Sequence, residues 1–299
     1  MRVFVTGATG WIGSVVVRDL IAAGHQVLGL SRSDQGADAL RAGGAEVLRG
    51  TLADLDILKS GAAQADGVIH LAFNHDFSKF AENCEDEARA IRAISDALRG
   101  SGHPFIITSG VALLAPGRLA TEADVRDPAT TRFPRVCEEV AAELAGQGLR
   151  VTTVRLAPTV HGHGDHGFVP GLIAIARRTG VSAYIGDGQN RWPAVHRLDA
   201  ARVFRLALEA GAQGGPFHAI AEEGVALKEI AQVIGRRLDL PVVSITPEEA
   251  PRHFGAFAVF AGIDAPASSE RTRVRLNWQP TQPELLTDLD HPAYFGGAL

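Results

Sequence analysis

The sequence predicts an α/β protein: a doubly wound parallel sheet with a smaller C-terminal subdomain interleaved with it. Three observations predict this. Short apolar runs alternate with helix-period segments over residues 1–156, a glycine-rich turn follows the first run, and Pro, Gly and His then cluster in 158–170, where the alternation breaks down.

Strands are expected at Arg2 to Val5, Gln26 to Leu30, Glu46 to Arg49, Gly67 to Leu71, Phe105 to Thr108 and Val151 to Leu156. These near-continuous apolar runs suit strands buried on both faces. Between the fourth and fifth, Cys84, Ala88, Ile91, Ile94 and Leu98 recur at helical spacing, and Gly100 to Gly102 supply a stop, so one long amphipathic helix belongs there. A second helix is expected from about Pro134, in its favoured first-turn place, through Val140 and Leu144 to Gly146. Beyond residue 156, the helix Leu198 to Ala210 and the strand Phe217 to Ile220 are expected to return to the sheet. The organisation read from the pattern is 1–156 for a nucleotide-binding domain and 157–299 mainly for a substrate-binding region.

Composition narrows the function classes. Of 299 residues, 46% are hydrophobic and no apolar run approaches the roughly 18 residues that a membrane span needs. A net charge of -5 without long runs of one sign offers no footprint for nucleic acid. The chain passes from Met1-Arg2 straight into a core strand, so no export signal and a cytoplasmic location are expected. Cys84 and Cys137 both fall in expected helices, which points to buried, reduced thiols and leaves small-molecule chemistry as the prior.

The turn Thr6-Gly7-Ala8-Thr9-Gly10-Trp11-Ile12-Gly13 sits between the first strand and a helix marked by Ile12, Val16, Leu20 and Ala23. Glycine there serves a tight turn, close approach of the backbone to a pyrophosphate, and helix–strand packing. The helix start then offers unpaired N–H groups and its positive dipole end to the phosphates. A Rossmann dinucleotide site follows, with Gly7, Thr9, Gly10, Trp11, Ile12 and Gly13 at the cofactor. The second strand ends in Leu30-Ser31-Arg32-Ser33, without the acidic residue that accepts from a ribose 2′-hydroxyl. Ser31 and Arg32 offer a hydroxyl and a cation, the groups that suit a 2′-phosphate, so the expected cofactor is NADP.

The glycine turn, His70-Leu71-Ala72 and Thr108-Ser109-Gly110 resemble the short-chain dehydrogenase/reductase superfamily, its extended and atypical branches above all, which include epimerase/dehydratase-like proteins. Val154-Arg155-Leu156 with Val160-His161-Gly162, then Gly186-Asp187-Gly188 before Val195-His196-Arg197-Leu198-Asp199-Ala200, and finally Leu276-Asn277-Trp278-Gln279-Pro280 are similar to successive signatures of the extended branch. The resemblance implies further cofactor contacts from Leu52, Leu71, Ala72, Phe73, Arg135 and Val160. It also implies that Ser109 donates to a substrate oxygen, and that relatives dimerise through helices such as Glu82 to Leu98 and the one from Pro134, so a homodimer is expected.

One departure dominates. The family's proton donor is a Tyr four residues before a Lys, and this chain lacks the pair: Thr131 falls at the Tyr position and Arg135 at the Lys position. Arginine keeps its proton, so the usual acid–base route is not available to Arg135. His161-Gly162-His163-Gly164-Asp165-His166 offers a replacement, His163 or His166, on the loop after the sixth strand. No metal is expected there, because no fourth ligand stands at finger-like spacing. Trp192, Phe168 and Tyr184 are expected to roof the substrate pocket, and His196 and Asp199 to be structural. The leading reading is an NADPH-dependent reductase of a small carbonyl or related substrate. An epimerase or dehydratase using the cofactor transiently, and a non-catalytic NADP-binding sensor, stand beside it.

Overall fold

The computed structural model describes residues 1–126 and 134–296. Seven parallel strands form the main sheet: β1 (Arg2–Thr6), β2 (Gln26–Ser31), β3 (Glu46–Arg49), β4 (Gly67–His70), β5 (Phe105–Gly110), β6 (Val151–Leu156) and β10 (Phe217–Ala219). Their order is β10-β6-β5-β4-β1-β2-β3. The direction of winding therefore reverses between β1 and β4, where sheets of this kind bind ligands beyond the carboxyl ends of the strands.

Alternation along β1 sorts its side chains to two cores. Val3 and Val5 join α1 (Gly13–Ala22) and α7 (Arg197–Glu209) on one face. Phe4 joins α3 (Leu55–Ala63), α4 (Phe80–Leu98) and α5 (Cys137–Gly146) on the other. Helix α2 (Asp34–Ala42) links β2 to β3, with the Ser33 hydroxyl accepting the Gly36 amide at its start.

The later chain adds β7 (Thr159–His161), α6 (Phe168–Thr179), β8 (Ser182–Ile185), β9 (Arg191–His196), β11 (Glu222–Ala226), α8 (Leu227–Leu238) and β12 (Val242–Ile245). They form a three-stranded sheet β11-β9-β7 and a two-stranded sheet β12-β8 around a third core. Residues Phe217–Ala219 return to pair with β6, and Trp278 is fully buried, its indole N–H donating to the Asp199 carbonyl at the start of α7.

The six expected strands of 1–156 are present, several a residue or two longer. The second expected helix begins at Cys137 rather than Pro134. Arg135 is held by groups on α4 and β5, which keeps the chain out of helical register until it has passed that contact. Thr131 lies outside the described residues.

Candidate functional site

The cradle is built from glycine geometry. Gly7 has φ +66°, and a Cβ there would lie 2.7 Å from the Ala72 amide nitrogen. A Cβ on Gly13 would lie 1.9 Å from the Gly7 carbonyl oxygen, so only glycine lets α1 pack down on the turn. Gly10 differs: a Cβ there meets only the Gly7 oxygen, at 3.2 Å, and its far side is open space. Helix α1 begins without a side-chain cap, which leaves its positive end available to an anion. The turn is tied to β4 by Thr6, whose hydroxyl lies 2.8 Å from His70 Nδ1 and accepts the Ala72 amide at 3.3 Å. Leu71 and Ala72 thus line the cradle beside Gly7. These residues fit a dinucleotide pyrophosphate.

At the β2 edge the picture is modified. Ser31 is buried and its hydroxyl donates to the Ser33 carbonyl at 3.0 Å, so its proton is committed to the turn rather than offered to a ligand. Arg32 is exposed at the rim. Arg49, at the end of β3, was not foreseen; its guanidinium donates to the Ser33 carbonyl and pairs with Asp34 at 3.0 Å. Two arginines therefore stand at this rim. Leu52, just past β3, is half-buried against the second core.

Beyond β4 and β5, Arg135 makes a bidentate pair with Glu87, Nε to carboxylate 2.8 Å, and donates to the Thr108 carbonyl at 3.1 Å. Its guanidinium sits 4.7 Å from the Phe73 ring centre. Glu87 is only 2% exposed, and it occupies the apolar stripe of α4, three residues after Cys84 and four before Ile91. An acid on a buried stripe was the signal that sequence reading passed over. Arg135 is thus a fixed cation beside Phe73, and the ion pair commits its Nε–H and one Nη2–H.

Ser109 does not take the expected place. It follows Ile107 on the face that packs against α5, is 9% exposed, and lies beside Cys137 and Glu138. Burial would raise Glu138, but hydrogen bonds from Arg155 outweigh it and hold that carboxyl below its usual range. Strand alternation thus commits this hydroxyl to the interior. Cys137 is buried and its thiol is pushed up to about 12, chiefly by burial, which makes it unreactive.

The histidine loop divides. His166 lies edge-on to Trp11, ring centres 5.5 Å apart. His163 instead stacks on His291 at 4.2 Å, with Nε2 3.5 Å from Asp288. His161 is buried, its Nδ1 2.8 Å from Asp288, and the Tyr294 hydroxyl donates to the same carboxylate at 2.9 Å. His163 therefore belongs to a cluster that anchors the loop to the C-terminal segment, a correction to its expected role. Trp11 points away from the cradle: its indole N–H donates to the Val160 carbonyl at 2.9 Å, and Arg197 lies 4.0 Å from its ring centre. The indole of Trp11 is thus tied to Val160, which leaves the backbone N–H groups of Trp11 and Ile12 at the start of α1.

On the far side of the crevice, Phe168, Trp192 and Phe260 line a small apolar cavity with Ala112 and Pro158. Tyr184 is not part of it; the residue lies on β8 with Lys228 over its ring. His196 accepts the Leu198 amide and Asp199 accepts those of Thr281 and Gln282, so both are structural.

Residues 3–220 match the NAD dependent epimerase/dehydratase family. An uncharacterized protein of Schizosaccharomyces pombe is 54% identical over 298 residues, covering 99% of this chain and 100% of the relative. A Stigmatella aurantiaca protein named 4-hydroxy-2-methyl-3-oxo-4-farnesyl-3,4-dihydroquinoline-1-oxide ketoreductase is 30% identical, over 72% of this chain and 66% of its own. Among solved structures, gox2253 superposes with a TM-score of 0.78 at 21% identity, over 97% of this chain and 96% of that one. Human epimerase family protein SDR39U1 with NADPH superposes with a TM-score of 0.71 at 22% identity, over 97% and 98%. No helix among the described residues is long and apolar enough to cross a membrane.

Proposed function

This chain belongs to the NAD dependent epimerase/dehydratase family, and from that premise we propose that it is an NADPH-dependent oxidoreductase that reduces a small carbonyl compound. The observation that carries the reading is the cradle at Gly10, open beside the uncapped start of α1, with Arg32 and Arg49 at the ribose rim. The adenosine half of the cofactor belongs over β2 and β3, and the nicotinamide half toward β4, β5 and β6. Bound there, NADPH supplies a hydride. The chain supplies the rest: Phe73 and Arg135 form the floor and the fixed cation, and the cavity at Phe168 and Trp192 admits an apolar substituent. Residues 1–156 then hold mainly the cofactor and 157–299 mainly the substrate. The ketoreductase among the relatives and the NADPH bound to a structural neighbour agree with this reading.

Calorimetric titration with NADPH and NADH, followed by NADPH consumption with a panel of aldehydes, ketones and imines, tests it. The reading expects tighter NADPH binding and turnover with at least one carbonyl. Tight binding with no consumption across the panel contradicts it and favours a sensor.

A further inference from the structure

Both tyrosines of the chain are accounted for elsewhere, Tyr184 on β8 and Tyr294 on Asp288, so the proton that must accompany a hydride needs another carrier. The segment leaving β4 runs Leu71-Ala72-Phe73-Asn74-His75 and leads directly from the cradle wall. His75 ends this run. Its imidazole stands edge-on to Phe73, ring centres 5.3 Å apart, and to Phe77 at 6.2 Å, and it remains accessible to solvent. Phe73 is the ring over which Arg135 lies, so His75 and Arg135 share one aromatic floor between β4 and β5. Two charged or titratable groups interact with His75 from other elements: Arg135 from the segment before α5, and His166 from the loop before α6. On its own segment, Asp76 is engaged by Ser78.

We propose that His75 is the proton carrier of the reaction, a role that rests on the reductase reading above. In reduction, the protonated imidazole gives its N–H proton to the carbonyl oxygen. That oxygen takes up the π electron pair displaced as the hydride, with its own electron pair, bonds to the carbon. An alcohol, NADP⁺ and neutral His75 result, and water reprotonates the ring. In the reverse direction neutral His75 accepts the hydroxyl proton.

The environment suits both states. Partial burial first, then the charge of Arg135 and more weakly His166, pull His75 below its ordinary value, against an opposing hydrogen bond with the Phe73 backbone. Neutral His75 thus predominates at pH 7, and the protonated form is a stronger acid than a free imidazole. Reduction should accelerate as pH falls toward the lowered value, while oxidation is already on its plateau at pH 7.

Two measurements decide it. Histidine side-chain NMR titrations, with His75 assigned through His75→Asn, are run on the free protein, with NADP⁺ and with NADPH. A ring beside the nicotinamide feels the positive charge of the oxidised form, so His75 should titrate lower with NADP⁺ than with NADPH by about half a unit or more. The resonances of His103, which precedes β5 at the opposite end of the sheet, should be the same in both complexes. Equal His75 values in the two complexes, with glycine-turn amides that do shift, overturn the proposal and leave cofactor binding standing. If no resonance responds to either nucleotide, the reductase reading fails and the proposal fails with it. In the carbonyl panel, His75→Asn should lower kcat by roughly 10²- to 10⁴-fold and remove the pH dependence, while His103→Asn, at the opposite end of the sheet, stays near wild type. A His75→Asn protein with wild-type kcat overturns the assignment.

Discussion

Acid should weaken this fold through His70, and the effect can be sized. The ring is fully buried at the end of β4, with Nδ1 2.8 Å from the Thr6 hydroxyl. Burial, reinforced by the charge of Arg135, lowers His70 from 6.5 to about 3. The native ring therefore stays neutral while an unfolded one protonates, so the unfolded state binds more protons and stability falls as pH drops through 6.5 toward 3. Linkage gives a loss of about 2 kcal/mol by pH 5 and about 3 kcal/mol by pH 4 from this residue alone. Urea unfolding, followed by tryptophan fluorescence from pH 7.5 to 5, measures it. His70→Gln removes the titrating group and should lose about 2 kcal/mol less than wild type across that interval, although it starts less stable for want of the native hydrogen bond. Curves that fall in parallel for the two proteins refute the reasoning.

Four other outcomes follow from the geometry. Arg32→Ala should weaken NADPH about ten- to hundredfold in calorimetry and leave NADH unchanged, since a charge-assisted contact is worth roughly 1.5–3 kcal/mol; equal losses for both nucleotides contradict this. Gly10→Val should fold, judged by circular dichroism, yet bind no dinucleotide, whereas Gly13→Ala should lose stability itself because its methyl would meet the Gly7 oxygen at 1.9 Å. Ser109→Ala should keep kcat within about threefold, because its side chain is buried on the face that packs against α5; a loss of about a hundredfold would restore it to the site. Finally, native protein should resist a thiol reagent at pH 8, with Cys84 and Cys137 both buried and their thiols raised, and label only on unfolding.

The N-terminal half of the chain was legible because its physics is local. Apolar runs set the strands, and the spacing of Gly7, Gly10 and Gly13 set the turn, before any tertiary contact mattered. The reading failed where a side chain had a choice of partners. Ser31 and Ser109 each carry a hydroxyl at a strand end, but β2 sends one into its own turn and β5 sends the other toward α5. His163 and His166 are three residues apart in one loop, and only Asp288 and His291, more than 120 positions away, decide that His163 leaves the crevice. Glu87 and Asp34 show the same limit, since their arginine partners, Arg135 and Arg49, come from distant segments. His75 carried no sequence signal beyond its place five residues after a strand end; Phe73, Arg135 and His166 give it meaning.

Hydride transfer itself is the claim most directly open to measurement. NADPH deuterated at nicotinamide C4, supplied in both the 4R and 4S forms, is incubated with the protein and the carbonyl panel, and products are analysed by mass spectrometry. The account predicts one deuterium on the carbinol carbon of at least one product, delivered from one of the two forms, with an equal amount of NADP⁺ formed. Products without deuterium, or NADPH that binds and is never oxidised, would contradict it.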